Sequence, residues 1–412
     1  MTKDCPVANP NLDYKQIISI TACWFLAQIG YYAQYQLLGP LMKQFGLTEL
    51  EITVMMSQEI TVFAVTYFLL AGPMSRISRV KVALVGILVL FLANAVSGFT
   101  ESFEVLRGAR LFAGLAGGML SAAGTASAAS SANPQRMFAI VTVCWGVLSA
   151  VQPIWMPYFT VPFGASGGYY LMAALALLLS PFCRWLVPPK PSELAPQSVD
   201  LESLSLLDRI TERLGVRGAP HARFALIAML GLFLYEVGQG AVMVFLEQFG
   251  LNTGMEAYRV GQVIGFGNIA ALSGGAVAAW MGIRYGYLWP IVLGIAANGL
   301  FAGVLALVDE PISFAMSNFF WTASYNFLVP YMLGVMSEMD EKGRWAVAAD
   351  AAWWFGSAPG AAVGGAAVAV GGYAMLSLVP IGTGLVCIVL MLITIRKFNL
   401  TRAQNVTVSL GH

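Results

Sequence analysis

Four ionisable residues stand inside long apolar stretches of the chain: Glu59, Arg110, Glu236 and Asp350. A charge at the centre of a bilayer costs about 2.5 to 3.5 kcal/mol on insertion scales, so each has to face a partner or a water-filled cavity. A carboxylate withdrawn from water holds a proton more tightly. Such a group can therefore bind a proton and release it as its surroundings open to one side or the other, which makes Glu236, Asp350 and Glu59 candidates for proton coupling, with Arg110 a candidate as the cation that could pair with one of them. Asp350 is close in sequence to Lys342 and Arg344, and a gate salt bridge is as good a reading there as a proton site. Glu59 reads equally as a structural partner between helices. Arg110 can neutralise a carboxylate of the protein or bind an anionic solute, and both stay open.

Polar and aromatic side chains gather in the same stretches. Gln28, Tyr31, Tyr32 and Gln34 lie in the first, Gln239 lies beside Glu236 in the seventh, and Asn318, Trp321, Tyr325 and Asn326 lie in the tenth. Asn318, Trp321 and Tyr325 repeat at spacings of three and four and so share a helix face. Trp145, Gln152 and Trp155, with Trp353 and Trp354, are candidates to complete an aromatic wall. Together these groups suit a cavity that receives a small organic solute. A tryptophan taken singly reads equally as an interfacial or lipid-facing ring.

The elements that must position these residues come from an internal duplication. Phe25-Leu26-Ala27-Gln28-Ile29-Gly30 returns 208 positions later as Phe233-Leu234-Tyr235-Glu236-Val237-Gly238, and each copy is followed by Gln-Phe-Gly-Leu, at Gln44 to Leu47 and Gln248 to Leu251. Neutral Gln28 thus has ionisable Glu236 as its mate. Apolar stretches of about 20 residues, each enough for one crossing, fall near 16–38, 52–73, 81–99, 105–128, 136–160 and 167–187, then near 223–246, 257–280, 287–308, 312–336, 345–370 and 374–395. The expectation is an all-α integral membrane protein of twelve helices in two pseudo-symmetric six-helix bundles. Its parts are an N-terminal bundle over 1–187, a cytoplasmic linker over 188–222 and a C-terminal bundle with a short tail over 223–412.

Composition agrees: of 412 residues 58% are hydrophobic and 10% charged, against roughly a quarter charged in soluble domains, and the mean hydropathy is +0.73. Loops rich in Lys and Arg stay in the cytoplasm. Both termini inside places 18 of the 22 basic residues there and leaves only Lys43, Arg107 and Arg259 outside, with Arg110 inside the fourth span, which predicts a multi-pass protein of the plasma (inner) membrane. A net charge of +1, spread over loops, argues against a nucleic-acid partner. The five cysteines show no disulfide or metal spacing, and neither histidine lies in a span. Gly265-Phe266-Gly267-Asn268-Ile269-Ala270 fits a loose dinucleotide fingerprint but sits inside a span with no preceding strand, so it reads as helix packing. No cofactor and no enzymatic activity are expected.

In the linker, Leu201, Leu204, Leu207, Ile210 and Leu214 recur at helical spacing among charged residues and describe a short amphipathic helix on the membrane surface. The 43 glycines concentrate inside the spans, where small residues let helices approach and slide. Gly114, Gly117, Gly118 and Gly124 give the fourth span such a face, as Gly356, Gly360, Gly364, Gly365, Gly371 and Gly372 do the eleventh.

Twelve spans in two halves joined by a central linker resemble the major facilitator superfamily over the whole chain. The family's loop between its second and third helices reads Gly-x-x-x-Asp-Arg-x-Gly-Arg. Ser75-Arg76-Ile77-Ser78-Arg79 stands in that place, with both arginines matched, Gly72 displaced by one, and the acid and second glycine missing. After the eighth span Gly275 and Gly282 repeat the spacing, with Arg284 one place late and Ala279 where the acid would be. Arg110-Leu111-Phe112-Ala113-Gly114 followed by Gly117 is similar to the Arg-x-x-x-Gly-x-x-Gly element that the family associates with proton coupling. The fifth span lacks the glycine-proline signature of drug-proton antiporters.

The resemblance implies a cavity lined by spans 1, 4, 7 and 10, hence by Glu236, and a cytoplasmic gate at Arg76, Arg79 and Arg284. It implies a monomer in the lipid bilayer that moves a small-molecule substrate by alternating access, with the proton as coupling ion. Arg110 among aromatic residues suggests an aromatic or other organic acid as substrate. The alternatives are drug or metabolite efflux by proton antiport, with Glu236 as counter-ion of a cation, and a non-transporting membrane sensor on the same scaffold.

Overall fold

Apolar runs this long can satisfy their backbone groups inside a bilayer only as helices, and helices are what the chain forms. The computed structural model describes residues 13–71, 73–189, 221–339 and 344–410. In order the α-helices are α1 (Tyr14–Phe45), α2 (Glu49–Ala71), α3 (Arg79–Phe99), α4 (Phe103–Ala129), α5 (Pro134–Trp155), α6 (Pro157–Leu179), α7 (Ala222–Met243), α8 (Leu246–Asn252), α9 (Ala257–Met281), α10 (Leu288–Leu305), α11 (Pro311–Glu338) and α12 (Arg344–Leu410).

Local chemistry sets the ends. Asp13 caps the first turn of α1 by accepting from the Lys15 amide, and Gly46, at φ 65°, turns its last, a conformation glycine adopts without a Cβ penalty. Thr48 and Glu51 form a reciprocal capping box at the head of α2, with the Thr48 amide donating to Glu51 Oε2 at 3.0 Å and the Glu51 amide donating to Thr48 Oγ1 at 3.4 Å. Asn133 accepts from the Arg136 amide ahead of Pro134, which starts α5.

Two helices contain a break. In α6 it is Gly164, at φ 63° and ψ −156°, so the reversal between the fifth and sixth spans falls seven residues into the helix. In α12 it is Gly371 and Gly372, the latter at φ 63° and ψ −160°. The apolar part of α12, Ala352–Lys397, has 46 residues and would measure roughly 69 Å straight, more than twice the ~30 Å core of a bilayer. Its packing shows the fold-back. Gly356, Gly360 and Gly364 meet Phe233, Gly240 and Ala241 of α7 in parallel order, while Gly231 and Gly238 meet Leu390 and then Pro380 and Thr383 in antiparallel order. The arms of α12 are therefore the eleventh and twelfth spans. The short α8, absent from the predicted spans, follows α7 after a turn; the linker residues 190–220, with the predicted amphipathic helix, lie outside the described residues.

Nine described helices are long and apolar enough to cross a membrane. Of the remaining long helices, α1 and α11 have 32 and 28 residues but carry the polar candidates. Their polarity is turned toward the protein interior, where Gln28, Gln34, Gln36 and Asn318 are all buried.

The two halves meet most closely at the end of the molecule away from the chain termini, called distal below. There Gly365 of α12 abuts Thr53 and Leu50 of α2, Gly261 and Gly265 of α9 abut Pro153, Ala150 and Ile154 of α5, and Gly39 of α1 faces Gln248 of α8. One apolar cluster drawn from both halves, including Leu38, Leu41, Met156, Phe245, Phe249 and Phe314, fills the space between them. The distal end is closed.

Candidate functional site

At the centre, α7 carries Glu236, which is 1% exposed. It can sit there because α12 presents Gly356, where an added Cβ would come within 2.8 Å of Glu236 Cβ. Ser357 Oγ donates to Glu236 Oε2 at 3.3 Å, and the Tyr325 phenol of α11 is directed at the same carboxylate. Oε1 has no partner, and no cation pairs with Glu236 among the described residues. Around it stands an aromatic shell. Tyr31 packs on Tyr32 at 5.1 Å and on Trp354 at 5.6 Å, Tyr32 on Trp145 at 5.9 Å, and Tyr325 on Trp353 at 5.3 Å between ring centroids. Tyr31 of α1 and Trp354 of α12 thus meet across the two halves.

A second charged centre lies within the N-terminal half. Arg110 of α4, 2% exposed, reaches Glu59 Oε1 of α2 with Nη1 at 3.5 Å. It also donates through Nε to Ser97 Oγ at 3.1 Å and through Nη2 to Asn94 Oδ1 at 2.9 Å, both on α3, and its guanidinium lies 4.7 Å from the Tyr169 ring centroid. Arg110 is thus paired with a carboxylate of the protein, the first of the two arrangements the sequence leaves open, and its guanidinium is engaged on every side inside the bundle. Glycines bring the carboxylate here. Gly114 packs on the Glu59 carbonyl, and a Cβ at Gly30 would stand 2.9 Å from Glu59 Oε1.

Between the two centres is a cavity of about 20 Å³ lined by Tyr31, Gln34, Glu59, Phe63, Gly114 and Trp354 among others. That is water-scale room. Tyr31 borders this cavity, and its hydroxyl meets Ser357, the donor to Glu236. One tyrosine therefore stands between the Glu59–Arg110 pair and the Glu236 carboxylate.

The remaining candidates divide. Gln239 accepts from Trp321 Nε1 at 2.8 Å, leaving its own Nε2 unpartnered, and Gln28 is buried with Oε1 unpartnered. Asn318 and Asn326 turn instead toward α9: Asn318 Nδ2 stands 2.6 Å from where a Gly267 Cβ would be, and Asn326 Nδ2 donates to the Ala271 carbonyl at 3.2 Å. They are not drawn to the Glu236 centre with Tyr325, because α11 shows one side to α7 and another to α9.

A family model described as the Major Facilitator Superfamily matches residues 20–344. The chain belongs to that superfamily. Solved superfamily-like folds resemble it over nearly their whole length. The nucleoside transporter NupG is 14% identical with a TM-score of 0.73, covering 94% of this chain and 100% of that one. A POT family transporter in complex with a thioalcohol-conjugated peptide is 13% identical with a TM-score of 0.69, covering 93% and 96%. The peptide transporter POT in complex with sulfate is 15% identical with a TM-score of 0.68, covering 93% and 94%. At such identities the likeness is one of fold. No protein of curated function matches the chain by sequence.

Within this superfamily fold the three arginines expected at a cytoplasmic gate take different positions. Arg79 is 2% exposed and donates to the carbonyls of Met74, Val187 and Pro188, tying the head of α3 to the chain leaving the sixth span. Arg76 and Arg284 are exposed at turns. Asp350 falls in α12, with its side chain outside the described residues. Sequence reasoning missed Ser357, Asn94, Ser97 and Tyr169 as partners of the charged groups. It also missed Glu247, although the repeat held a signal: Lys43 precedes the first Gln-Phe-Gly-Leu and Glu247 the second.

Proposed function

We propose that this superfamily member is a proton-coupled secondary transporter of a small organic solute, working by alternating access around the Glu236 centre. The observation that carries the proposal is a carboxylate buried at the junction of the two halves with no cation to compensate it among the described residues. A buried charge without a partner is costly, so the group favours the protonated form while enclosed and the ionised form when water reaches it. The basic-residue bias supports cytoplasmic termini, which makes the distal end the outer one.

The aromatic shell of Tyr31, Tyr32, Tyr325, Trp145, Trp353 and Trp354 supports a solute with a flat or apolar body. An organic acid as substrate loses its main support with Arg110 committed to Glu59, Asn94 and Ser97. A second reading has an observation of its own: an unpaired carboxylate among aromatic rings also suits an organic cation, through charge and cation–π attraction, and transport would then exchange that cation for protons.

Protein in liposomes loaded with a pH dye tests both readings, with aromatic acids, neutral nucleosides and aromatic amines offered to the unmodified chain and to Glu236→Gln. A solute-dependent pH change that Glu236→Gln abolishes supports coupling at this residue. Solute uptake with no proton movement in the unmodified chain would refute it. Amines as the only active class would favour the second reading.

A further inference from the structure

A second carboxylate with no compensating cation among the described residues lies outside the central site. Glu247, on the short helix α8 between the spans of α7 and α9, is 4% exposed, and its Oε2 has no partner. Its helix is wedged into the distal closure: Leu246 and Phe249 belong to the apolar cluster that joins the halves, Phe249 packs on Tyr373 of α12 at 5.3 Å, and α1 passes so near that a Cβ at Gly39 would stand 2.7 Å from Gln248 Nε2. Among the described titratable or charged groups on the elements packed around α8, Tyr35 of α1 is buried near Glu247. Lys43 at the end of α1, Arg259 of α9 and Glu310 ahead of α11 are exposed, Tyr258 of α9 is half-buried, and Tyr373 is engaged with Asn252.

We infer that Glu247 is a second proton-binding site, which takes up a proton when the distal end closes over it and returns it to water when that end opens. A carboxylate at the edge of an apolar plug can be buried cheaply only when neutral, and the plug exists only while α1 and α2 press against α8, α9 and α12. Burial pushes the Glu247 carboxyl up to about 8 from its ordinary 4.5. The sign follows. Below pH 4.5 the group is protonated in both states and does not oppose closure. Between 4.5 and about 8 the open state ionises and the closed state does not, so closure weakens by up to about tenfold per pH unit. Above that range both states are ionised, and the dependence levels off with closure at its weakest.

The inference rests on alternating access and not on the solute or on Glu236. Its test uses full-length protein in lipid nanodiscs, in a Glu236→Gln background, with spin labels on Lys43→Cys and Glu256→Cys at the distal end, each half carrying one. The expected result is a short and a long label distance whose ratio falls as pH rises through the window above and is flat above it. Adding Glu247→Gln is expected to make the ratio independent of pH and to favour the short distance, whereas Glu247→Asp keeps the slope. Infrared difference spectra provide a second readout, a protonated-carboxyl stretch lost at high pH and absent in Glu247→Gln. An unchanged slope in Glu247→Gln, or one distance at every pH without Glu247→Gln, would overturn the inference.

Discussion

At the scale of single residues, the two buried charge systems obey opposite rules. Arg110 and Glu59 compensate each other, and Asn94, Ser97 and Tyr169 absorb the rest of the guanidinium. Removing one member leaves the other buried and unpaired, a cost of about 3–5 kcal/mol. Arg110→Met is therefore expected to lower the thermal unfolding temperature markedly, and Arg110→Met with Glu59→Gln to recover more than half of the loss. A double variant no more stable than Arg110→Met would show that the pair does not govern the effect. Glu236 has no such partner among the described residues, so Glu236→Gln is expected to unfold at the same temperature as the unmodified chain or higher while losing proton coupling. The presence of Arg110 and Glu59 in apolar runs was legible; their pairing was not. Asn94 and Ser97 are 16 and 13 residues from Arg110, and only the docking of α3 on α4 brings them to it.

At the scale of elements, neighbouring glycines serve different partners. Gly364 packs on Ala241 of α7 within its own half, whereas Gly365 packs on Thr53 and Leu50 of α2 in the other half. The first contact builds a bundle; the second closes the molecule. Gly364→Leu is expected to reduce folded yield and thermal stability, because a side chain there collides with backbone. Gly365→Leu is expected to fold, to lengthen the distance between labels at Lys43→Cys and Glu256→Cys, and to slow transport severalfold by holding the distal end apart. Equal loss of folded protein in both variants would contradict this division. A glycine-rich face on the eleventh span was readable from spacing. Which glycine met which half was not, since one residue of rotation, about 100°, moves a position from one neighbour to the other.

At the scale of the whole molecule, the central cavity of about 20 Å³ is far below the roughly 300–1,000 Å³ of sites that hold drug-sized ligands. On the proposed function, binding and passage of an organic solute require the halves to separate, and the contacts of α5 with α9 are among those that must part. A disulfide between Ile154→Cys and Gly265→Cys, positions whose side chains would touch, is expected to abolish transport under oxidising conditions and to restore it with a reductant. Undiminished transport in fully cross-linked protein would exclude rocking at this seam.

The amino-acid sequence alone determined the membrane setting, the twelve spans, the duplication and the charged residues within it. Each of these follows from local requirements: a bilayer demands about 20 apolar residues per crossing and backbone hydrogen bonds met within the segment. Tertiary structure alone decided that Arg110 is compensated, that Glu236 receives Ser357 from 121 residues away, and that Glu247 is sealed in the distal closure. Burial and pairing depend on which helices dock and at what rotation, and those contacts join residues whose separation along the chain carries no period to read.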